Sequence, residues 1–321
     1  MSVLSIFTHA TTAVGWVTIV YVVYRILNFV SFYLYVPRSP LARYQHARDG
    51  PNYALVTGSS AGIGLAFAHH LLKLGFGVIL LAHKQEELEE AKSQLEAVTS
   101  SSAHIKLLCL DAITVKTAEL EKALASVSKL PISILVNNVG SVPVNPPHFR
   151  HLWEYNAEEL NNTISLNNRF MVQVTRIMMP VLTANNGPSL IVNLSSGARI
   201  GLPLLTVYSA TKAFCSSFSR SIARDAKAAG LAVDSVAIIP GDVHSQGNSK
   251  AVPSGAPLAI DFAGMAVNRI DTAVSRGMLE IFPFWLHALE VAVLELLPES
   301  IKQQALTKKM VEKRDAYDKA E

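Results

Sequence analysis

The stretch "TGSSAGIG", Thr57 to Gly64, directly follows the apolar segment Tyr53 to Thr57 and opens a segment rich in Ala and Leu. Glycines in such a turn let the backbone approach a pyrophosphate, whose charge is stabilised by the amino end of the next helix. A glycine triplet alone also fits a simple tight turn, but the strand, turn and helix context favours nucleotide binding. The predicted cofactor-binding residues here are Gly58, Ser60, Gly62, Ile63 and Gly64.

Short apolar segments alternate with helix-length segments after residue 52. This spacing predicts a doubly wound, Rossmann-type α/β fold, in which helices cover both faces of a parallel sheet. Ligands bind at the carboxyl ends of the strands in such folds, so functional side chains should follow each strand. The predicted strands are Tyr53 to Thr57, Val78 to Leu81, Ile105 to Leu110, Ile132 to Asn137, Leu190 to Leu194 and Val233 to Ile239. No seventh strand is evident between Asp261 and Ile281.

The composition excludes several classes of protein. The net charge of +3 is small and dispersed, without the basic clusters typical of proteins that bind nucleic acid, so we predict no nucleic-acid partner. Cys109 and Cys215 lie in apolar segments, which predicts buried thiols in a reducing compartment rather than a disulfide. We also predict no metal site.

The amino-terminal segment accounts for much of the high mean hydropathy, +0.29. From Leu4 to Val36 the only formal side-chain charge is Arg25, and this length can cross a bilayer. An arginine at the bilayer centre costs about 2.5 to 3.5 kcal/mol, which favours a span near Ser5 to Tyr24 with the remainder at the interface. A cleaved signal peptide is the alternative, but the basic start and the cleavage site are missing. We therefore predict a membrane anchor over residues 1–36.

The basic residues Arg38, Arg43 and Arg48 follow this anchor, while nothing comparably basic precedes it. By the positive-inside rule, the body of the protein lies in the cytosol, where NADPH is plentiful. The proline and polar content of residues 37–52 predicts a linker.

The second predicted strand ends "LLAHKQEE", which bears on the choice of cofactor. An NAD enzyme carries an acid here to bond the ribose hydroxyl, whereas this chain has Ala82 followed by His83 and Lys84. These two side chains would attract a 2′-phosphate, so NADPH is favoured over NADH. The alternative for Lys84 is a solvated residue at a helix start.

Two further strand ends carry candidate cofactor contacts. Asp111 follows the third strand, where it could accept a hydrogen bond from the adenine amino group or cap a helix. "NNVG", Asn137 to Gly140, ends the fourth strand with a glycine that lets the chain pass under the cofactor. We assign Asn138 and Gly140 to the cofactor site.

The motif "YSATK" places Tyr208 and Lys212 four residues apart in a predicted helix. Reduction of a ketone requires a proton on oxygen, and an ordinary tyrosine is a weak acid near neutral pH. Four residues bring the lysine onto the same helix face, where its charge favours the tyrosinate form. Alone, the motif also fits a helix with a surface lysine.

Other polar residues support the interpretation of this motif as an acid and its activator. The fifth strand ends "IVNLSSGAR", so Ser195 and Ser196 offer hydroxyls for a carbonyl oxygen. Asn167 precedes that strand and could hold a water that passes protons to the lysine. By itself, Asn167 would more often be a capping or core amide.

The sequence over about residues 53–241 resembles the short-chain dehydrogenase/reductase superfamily. The features that carry this resemblance are, in order, "TGSSAGIG", "NNVG", Asn167, "NLSS", "YSATK" and "PG" at residues 240–241. The form "NNVG", the amino-terminal apolar segment and "FPFWLHAL" narrow this resemblance to the microsomal 3-ketoacyl-CoA reductases and related 17-beta-hydroxysteroid dehydrogenases. The resemblance implies the endoplasmic reticulum membrane, and a homodimer or association with other membrane enzymes.

The resemblance also implies residue roles. Tyr208 would be the proton donor, Lys212 would bind the ribose hydroxyls and acidify Tyr208, and Asn167 would complete the proton relay. In this family "PGDVHS" closes over the nicotinamide, which implies cofactor contacts at Pro240, Gly241, Val243 and Ser245.

The catalytic serine is ambiguous. The serine to tyrosine spacing typical of the family selects Ser195, whereas alignment at the strand end selects Ser196. We favour Ser196, because a loop can absorb a deletion while a strand end fixes direction.

The sequence departs from the elongation reductases after "PGDVHS". Lys250 is the only Lys, Arg, Asp or Glu there before Asp261, and a loss of basic residues weakens the case for an acyl-CoA, whose phosphates favour cations. A steroid, retinoid or secondary-metabolism ketone is the alternative hydrophobic substrate. A third hypothesis is a non-catalytic NADPH-binding module, against which the complete set of Asn, Ser, Tyr and Lys argues.

The carboxy-terminal segment Met278 to Pro298 is nearly long enough to span a bilayer, but its three glutamates make a crossing costly. A helix in the membrane interface is one interpretation, and an ordinary core or dimer helix is the other. The predicted organisation is an anchor at 1–36, a linker at 37–52, an NADPH-dependent reductase domain at 53–277 and a membrane-associated extension at 278–321.

Overall fold

A computed structural model describes residues 3–97 and 104–319. Seven parallel strands form one sheet: β1 Tyr53–Thr57, β2 Gly77–Ala82, β3 Ile105–Cys109, β4 Ile132–Asn137, β5 Ser189–Leu194, β6 Val233–Ile238 and β7 Glu280–Ile281. Their order is β3-β2-β1-β4-β5-β6-β7, so the direction of winding reverses between β1 and β4. Ligands of doubly wound sheets bind at this reversal. The predicted fold class is confirmed, and the bounds of the first six strands agree within one residue.

The helices are α1 Val3–Leu34, α2 Gly62–Lys73, α3 Gln85–Glu96, α4 Thr117–Ala125, α5 Ala157–Ile164, α6 Phe170–Thr183, α7 Thr206–Ala228, α8 Ala259–Ser275, α9 Trp285–Leu296 and α10 Glu299–Asp318. Every residue of β1, β2, β4 and β5 is buried, as expected for a parallel sheet with both faces covered. Helices α4 and α6 pack on this sheet through apolar side chains such as Leu120, Val174 and Met178.

The seventh strand was not found in the sequence, because two residues are too few for any alternation pattern to be read. It pairs Ala237 with Glu280 and Ile238 with Ile281. The sheet therefore continues beyond residue 277, into the segment that the sequence assigned to an extension. The chain divides into two compact units, Met1–Arg38 and Ser39–Glu321.

Helix α1 forms most of the first unit. Its stretch Phe7–Leu34 is long and apolar enough to cross a membrane, and it is the one candidate span among the described residues. Its single charged side chain is satisfied locally, because Arg25 Nη1 donates to the Tyr21 hydroxyl one turn earlier at 2.7 Å.

Most of the predicted linker belongs to the second unit and is bonded to other parts of it. Leu41 N–H donates to Asp271 Oδ2 at 2.6 Å, and the fully buried Tyr44 donates from its hydroxyl to Asp234 Oδ2 at 2.9 Å. The Ser133 hydroxyl donates to the Tyr44 carbonyl at 2.7 Å. The segment predicted as a linker from its proline and polar content thus makes specific hydrogen bonds to the second half of the chain and to Ser133.

The two cysteines are free thiols in different environments. Cys215 on α7 is buried, as predicted, but the predicted burial of Cys109 is wrong. Cys109 ends β3, a strand at the edge of the sheet where the side chain is exposed. An apolar run does not distinguish an edge strand from a central one, which explains the error.

Candidate active site

A cavity of about 330 Å³ lies at the carboxyl ends of β4, β5 and β6. The fold brings together many of the predicted site residues around it: Ile63, Asn138, Gly140, Ser195, Ser196, Tyr208, Lys212, Pro240, Gly241, Val243 and Ser245. The remaining predicted cofactor residues lie outside this lining, at the ends of β1, β2 and β3, as does Asn167.

Tyr208 and Lys212 lie on the first turns of α7 and line the same cavity. The Lys212 ammonium is 5.7 Å from the centre of the Tyr208 ring and donates to the Leu194 carbonyl at 3.0 Å. Lys212 is 4% exposed, so its charge lies in a largely desolvated environment. The two side chains therefore face each other, as the four-residue spacing predicts.

Asn167 lies in a five-residue π-helical turn, Ser165–Arg169, between α5 and α6. Such turns are frequent at functional sites. Its buried carboxamide accepts from Ser141 N–H at 2.9 Å and donates to the Ser141 carbonyl at 3.0 Å. A Cβ added to Gly140 would lie 2.6 Å from Lys212 Nζ and 2.8 Å from Asn167 Oδ1. Gly140 thus marks where the amide and the ammonium approach each other.

The two serines after β5 have different surroundings. Ser195 is buried, donates to the Lys212 carbonyl at 2.7 Å and accepts from the Ser216 hydroxyl at 3.0 Å. Ser196 is half-buried, and its oxygen accepts from Ala198 N–H at 3.1 Å. Within the described residues, the Ser196 hydroxyl donates no hydrogen bond. Ser196 is therefore the serine that can donate into the cavity.

The glycine turn after β1 has a shape that only glycine permits. Gly58 and Gly62 have φ values of 63° and 59°, and a Cβ on Gly64 would collide with the Gly58 carbonyl. The Asn138 carboxamide donates to the carbonyls of Thr57 and Gly58 at 3.0 and 2.9 Å and so holds the turn from β4. This cradle at the amino end of α2 fits a pyrophosphate.

The first turn of α3, which follows β2, contains an acid that the sequence interpretation did not weigh. Glu87 accepts from Lys84 Nζ at 2.7 Å and from the Ser60 hydroxyl at 3.1 Å. The hydrogen bond and charge of Glu87 raise the pKa of Lys84, and the hydrogen bond from Lys84 lowers the pKa of Glu87. Lys84 and Ser60 are thus joined through Glu87, while His83 beside them is exposed.

Asp111 caps the turn that follows β3. Its carboxylate accepts from Ile113 N–H at 2.8 Å and from the Thr114 hydroxyl at 3.1 Å. Helix α4 begins later, at Thr117, so the capping is of a turn rather than a helix. The side chain remains exposed at the carboxyl end of β3.

The carboxy-terminal helices supply one wall of the cavity, which the sequence did not indicate. His287, Leu294, Leu306, Met310, Lys313 and Tyr317 all line it. Helix α9 buries His287 against the fold and leaves Trp285, Leu289 and Val293 exposed.

Asp242, in the loop after β6, is paired with two lysines of α10. Its carboxylate is 2.7 Å from Lys313 Nζ and 3.0 Å from Lys309 Nζ. Burial alone would raise the pKa of Asp242, but the two ammonium groups outweigh burial and lower the pKa to about 2. The carboxylate is therefore charged at neutral pH and joins this loop to α10.

Sequence comparison shows similarity to known reductases. A very-long-chain 3-oxoacyl-CoA reductase of Caenorhabditis elegans, let-767, is 28% identical over 309 residues, which cover 94% of this chain and 93% of that protein. The very-long-chain 3-oxoacyl-CoA reductase-A of Danio rerio is 34% identical over 186 residues, covering 57% of this chain and 56% of that protein.

Solved structures share the fold. A short chain dehydrogenase from Shigella flexneri in complex with NADP superposes with a TM-score of 0.62 at 20% identity, over 70% of this chain and 93% of that one. One from Burkholderia phymatum in complex with NAD gives 0.65 at 20% identity, over 80% and 95%.

The sequence profile of the short chain dehydrogenases matches residues 52–254. This range is more than half of the chain, and it runs from the glycine turn through Tyr208 and Lys212 to the loop after β6. The chain therefore belongs to the short chain dehydrogenase family of oxidoreductases.

Proposed function

We propose that the protein is a membrane-anchored, NADPH-dependent reductase of a hydrophobic ketone, with a 3-ketoacyl-CoA as substrate. The observation that carries this proposal is the meeting of Tyr208, Lys212 and Ser196 in one cavity beside the glycine turn. The substrate class follows the relatives named 3-oxoacyl-CoA reductases, one of which aligns over 94% of this chain.

The chemistry of the site follows from these side chains. A reduced nicotinamide, when bound, supplies the hydride. Tyr208 donates its proton to the carbonyl oxygen, and the Lys212 charge stabilises the tyrosinate that remains. Ser196 donates a hydrogen bond to the same oxygen as negative charge develops on it. Asn167 belongs to the proton relay that continues from Lys212. Its hydrogen bonds to the N–H and the carbonyl of Ser141 fix its carboxamide.

The serine assignment predicts two different mutant phenotypes. Ser196→Ala removes the donor to the carbonyl oxygen and should lower kcat by about 10²-fold, with the unfolding temperature unchanged. Ser195→Ala removes two buried hydrogen bonds and should lower the free energy of unfolding by about 1–3 kcal/mol, with a smaller loss of kcat. Steady-state kinetics and thermal unfolding of both variants check this. The reverse pattern would assign the reaction to Ser195.

NADPH remains the proposed cofactor, because His83 and Lys84 lie where a 2′-phosphate is bound in such folds. Glu87 opposes this preference, since a phosphate must compete with its carboxylate for Lys84. Asp111 and the glycine turn are proposed to hold the adenine and the pyrophosphate.

Cofactor titrations should reveal both effects. Lys84→Ala should weaken NADPH binding about tenfold and leave NADH binding unchanged, because only NADPH carries the 2′-phosphate. Glu87→Gln should strengthen NADPH binding, since it frees Lys84 and Ser60 and removes a negative charge. The control is Lys92→Ala, because Lys92 lies within α3 and is paired with Glu96 of the same helix. Equal losses for both cofactors in Lys84→Ala would contradict the assignment.

The cavity wall bears on the substrate. Apolar side chains of α9 and α10 suit an acyl chain. The α10 lysines add positive charge to a cavity whose adjoining loop, residues 246–260, has Lys250 as its one basic residue. One observation favours the alternative, a steroid, retinoid or secondary-metabolite ketone: Lys309 and Lys313 are already paired with Asp242.

The deciding experiment is a substrate panel with the full-length protein in detergent. NADPH oxidation should be fastest with 3-ketoacyl-CoA of long chain. Faster turnover of a steroid, retinoid or polyketide ketone would replace the proposed substrate, and turnover of none would favour the non-catalytic module.

We also propose the endoplasmic reticulum membrane as the location, with α1 as the anchor and the catalytic unit in the cytosol. The apolar stretch Phe7–Leu34 and the arginines after it support this orientation. A homodimer, or association with other membrane enzymes, stays a prediction from the family resemblance.

A further inference from the structure

One imidazole of α9, that of His287, binds two backbone groups of the loop after β6. Gly241 N–H donates to His287 Nδ1 at 3.0 Å, and His287 Nε2 is 3.1 Å from the Asp242 carbonyl. A backbone N–H can only donate and a carbonyl can only accept. The ring must therefore be neutral with its proton on Nε2, which satisfies both backbone groups at once.

The His287 ring is closely packed. His287 is 3% exposed, and its ring meets Phe284 edge to face at 5.0 Å. A Cβ on Gly241 would lie 2.5 Å from His287 Cδ2, so the imidazole rests directly on the glycine. Burial lowers the pKa of His287 despite the opposing effect of Asp242, which agrees with the neutral form that the geometry requires.

The same loop is fixed on two other sides. Lys313 and Lys309 of α10 bind the Asp242 carboxylate, and Gly197 N–H donates to the Pro240 carbonyl at 2.7 Å. Gly197 directly follows Ser196. Residues 240–242 thus connect the serine segment to both carboxy-terminal helices.

A buried neutral imidazole needs one acceptor and one donor as partners, and these can come from any part of the fold. Here the two ring nitrogens bind backbone groups of two consecutive residues, the Gly241 N–H and the Asp242 carbonyl, in the loop that lines the cavity. The bonds determine the orientation of these peptides and therefore the shape of the cavity at that point.

We propose that His287 is a positioning residue, which fixes the Gly241 and Asp242 peptides so that the cavity is formed before the cofactor binds. The effect on cofactor affinity rests on the proposed function, whereas the anchoring of the loop does not. Without the imidazole, the loop must be ordered at the expense of binding free energy.

Hydrogen exchange of the full-length protein in detergent, without cofactor, tests the anchor. His287→Leu should speed exchange of the amides in residues 241–245 about tenfold, because both hydrogen bonds between the imidazole and the loop are lost. His287→Gln should exchange nearly as wild type, since a carboxamide can also accept and donate. His46→Leu removes a ring hydrogen bond to the Pro188 carbonyl, which lies just before β5 and outside the cavity lining, and should leave the exchange of the loop unchanged.

Fluorescence titration with NADPH tests the consequence. We expect an affinity about tenfold weaker in His287→Leu, recovery in His287→Gln, and no change in His46→Leu. Wild-type loop exchange and affinity in a folded His287→Leu variant would overturn the proposal. Failure of the proposed function has a different signature, because wild-type protein would then reduce none of the ketones while its loop exchange would still respond to His287→Leu.

If His287→Leu does not fold, ¹⁵N-histidine spectra of the wild-type protein at pH 8 decide. A ring held as the single Nε2-protonated tautomer supports the anchor. Rapid exchange of His287 between its two tautomers would overturn it.

Discussion

Tyr208→Phe should lower kcat by about 10²- to 10⁴-fold while NADPH affinity stays within about twofold of wild type, since proton donation contributes this much to the rate and little to binding. The ring keeps its place beside the Lys212 ammonium, because only the hydroxyl is removed. Stopped-flow oxidation of NADPH with a saturating 3-ketoacyl-CoA measures the chemical step, and fluorescence titration measures cofactor affinity.

Tyr155→Phe is the matched control. Its hydroxyl donates to the His148 carbonyl at 2.9 Å and lies outside the cavity lining, so the variant should turn over as wild type. Equal turnover by Tyr208→Phe would defeat the acid assignment. A parallel loss of cofactor affinity would instead indicate that the hydroxyl acts in binding.

Gly140→Ala should lower kcat by about 10²-fold, because displacements of about 1 Å in a catalytic group cost this much. The backbone of Gly140 does not lie at positive φ, so alanine brings no conformational strain of its own. Its methyl group would instead lie 2.6 Å from Lys212 Nζ and 2.8 Å from Asn167 Oδ1, and the ammonium must move. Kinetics at saturating substrate, together with thermal unfolding, measure the effect.

Gly255→Ala provides the comparison, since its added methyl group meets no atom within 4 Å and its backbone is also free of positive φ. It should be active and stable. Wild-type kcat in Gly140→Ala would mean that the lysine can shift without consequence, and the close approach of Lys212 and Asn167 would then have no catalytic meaning.

Local patterns were sufficient for the central sheet. The strands from β1 to β6 are apolar segments bounded by turns, and residues such as Tyr208 and Lys212 are related by helix geometry alone. The glycine turn could also be read, because its conformation demands glycine at Gly58 and Gly62.

Contacts between distant parts of the chain could not be read in this way. The pairing of Asp242 with Lys313 joins residues far apart in sequence, and no periodicity connects them. The same holds for Glu87, whose bond to Ser60 links the turn after β1 to α3. The apolar segment also gave the wrong burial for Cys109, because an apolar run does not tell which strand is at the edge of the sheet.

Ribosomes release a polypeptide from its amino end, and early portions begin to fold while later ones are still being made. The glycine turn and α7, which carries Tyr208, emerge well before α9 and α10. These last two helices supply His287 and the lysines that bind Asp242. A nascent chain that stops at β6 would hold its nucleotide cradle without the wall that completes the cavity. Activity should therefore arise abruptly, when the final two helices have been translated, rather than grow in proportion to the length made.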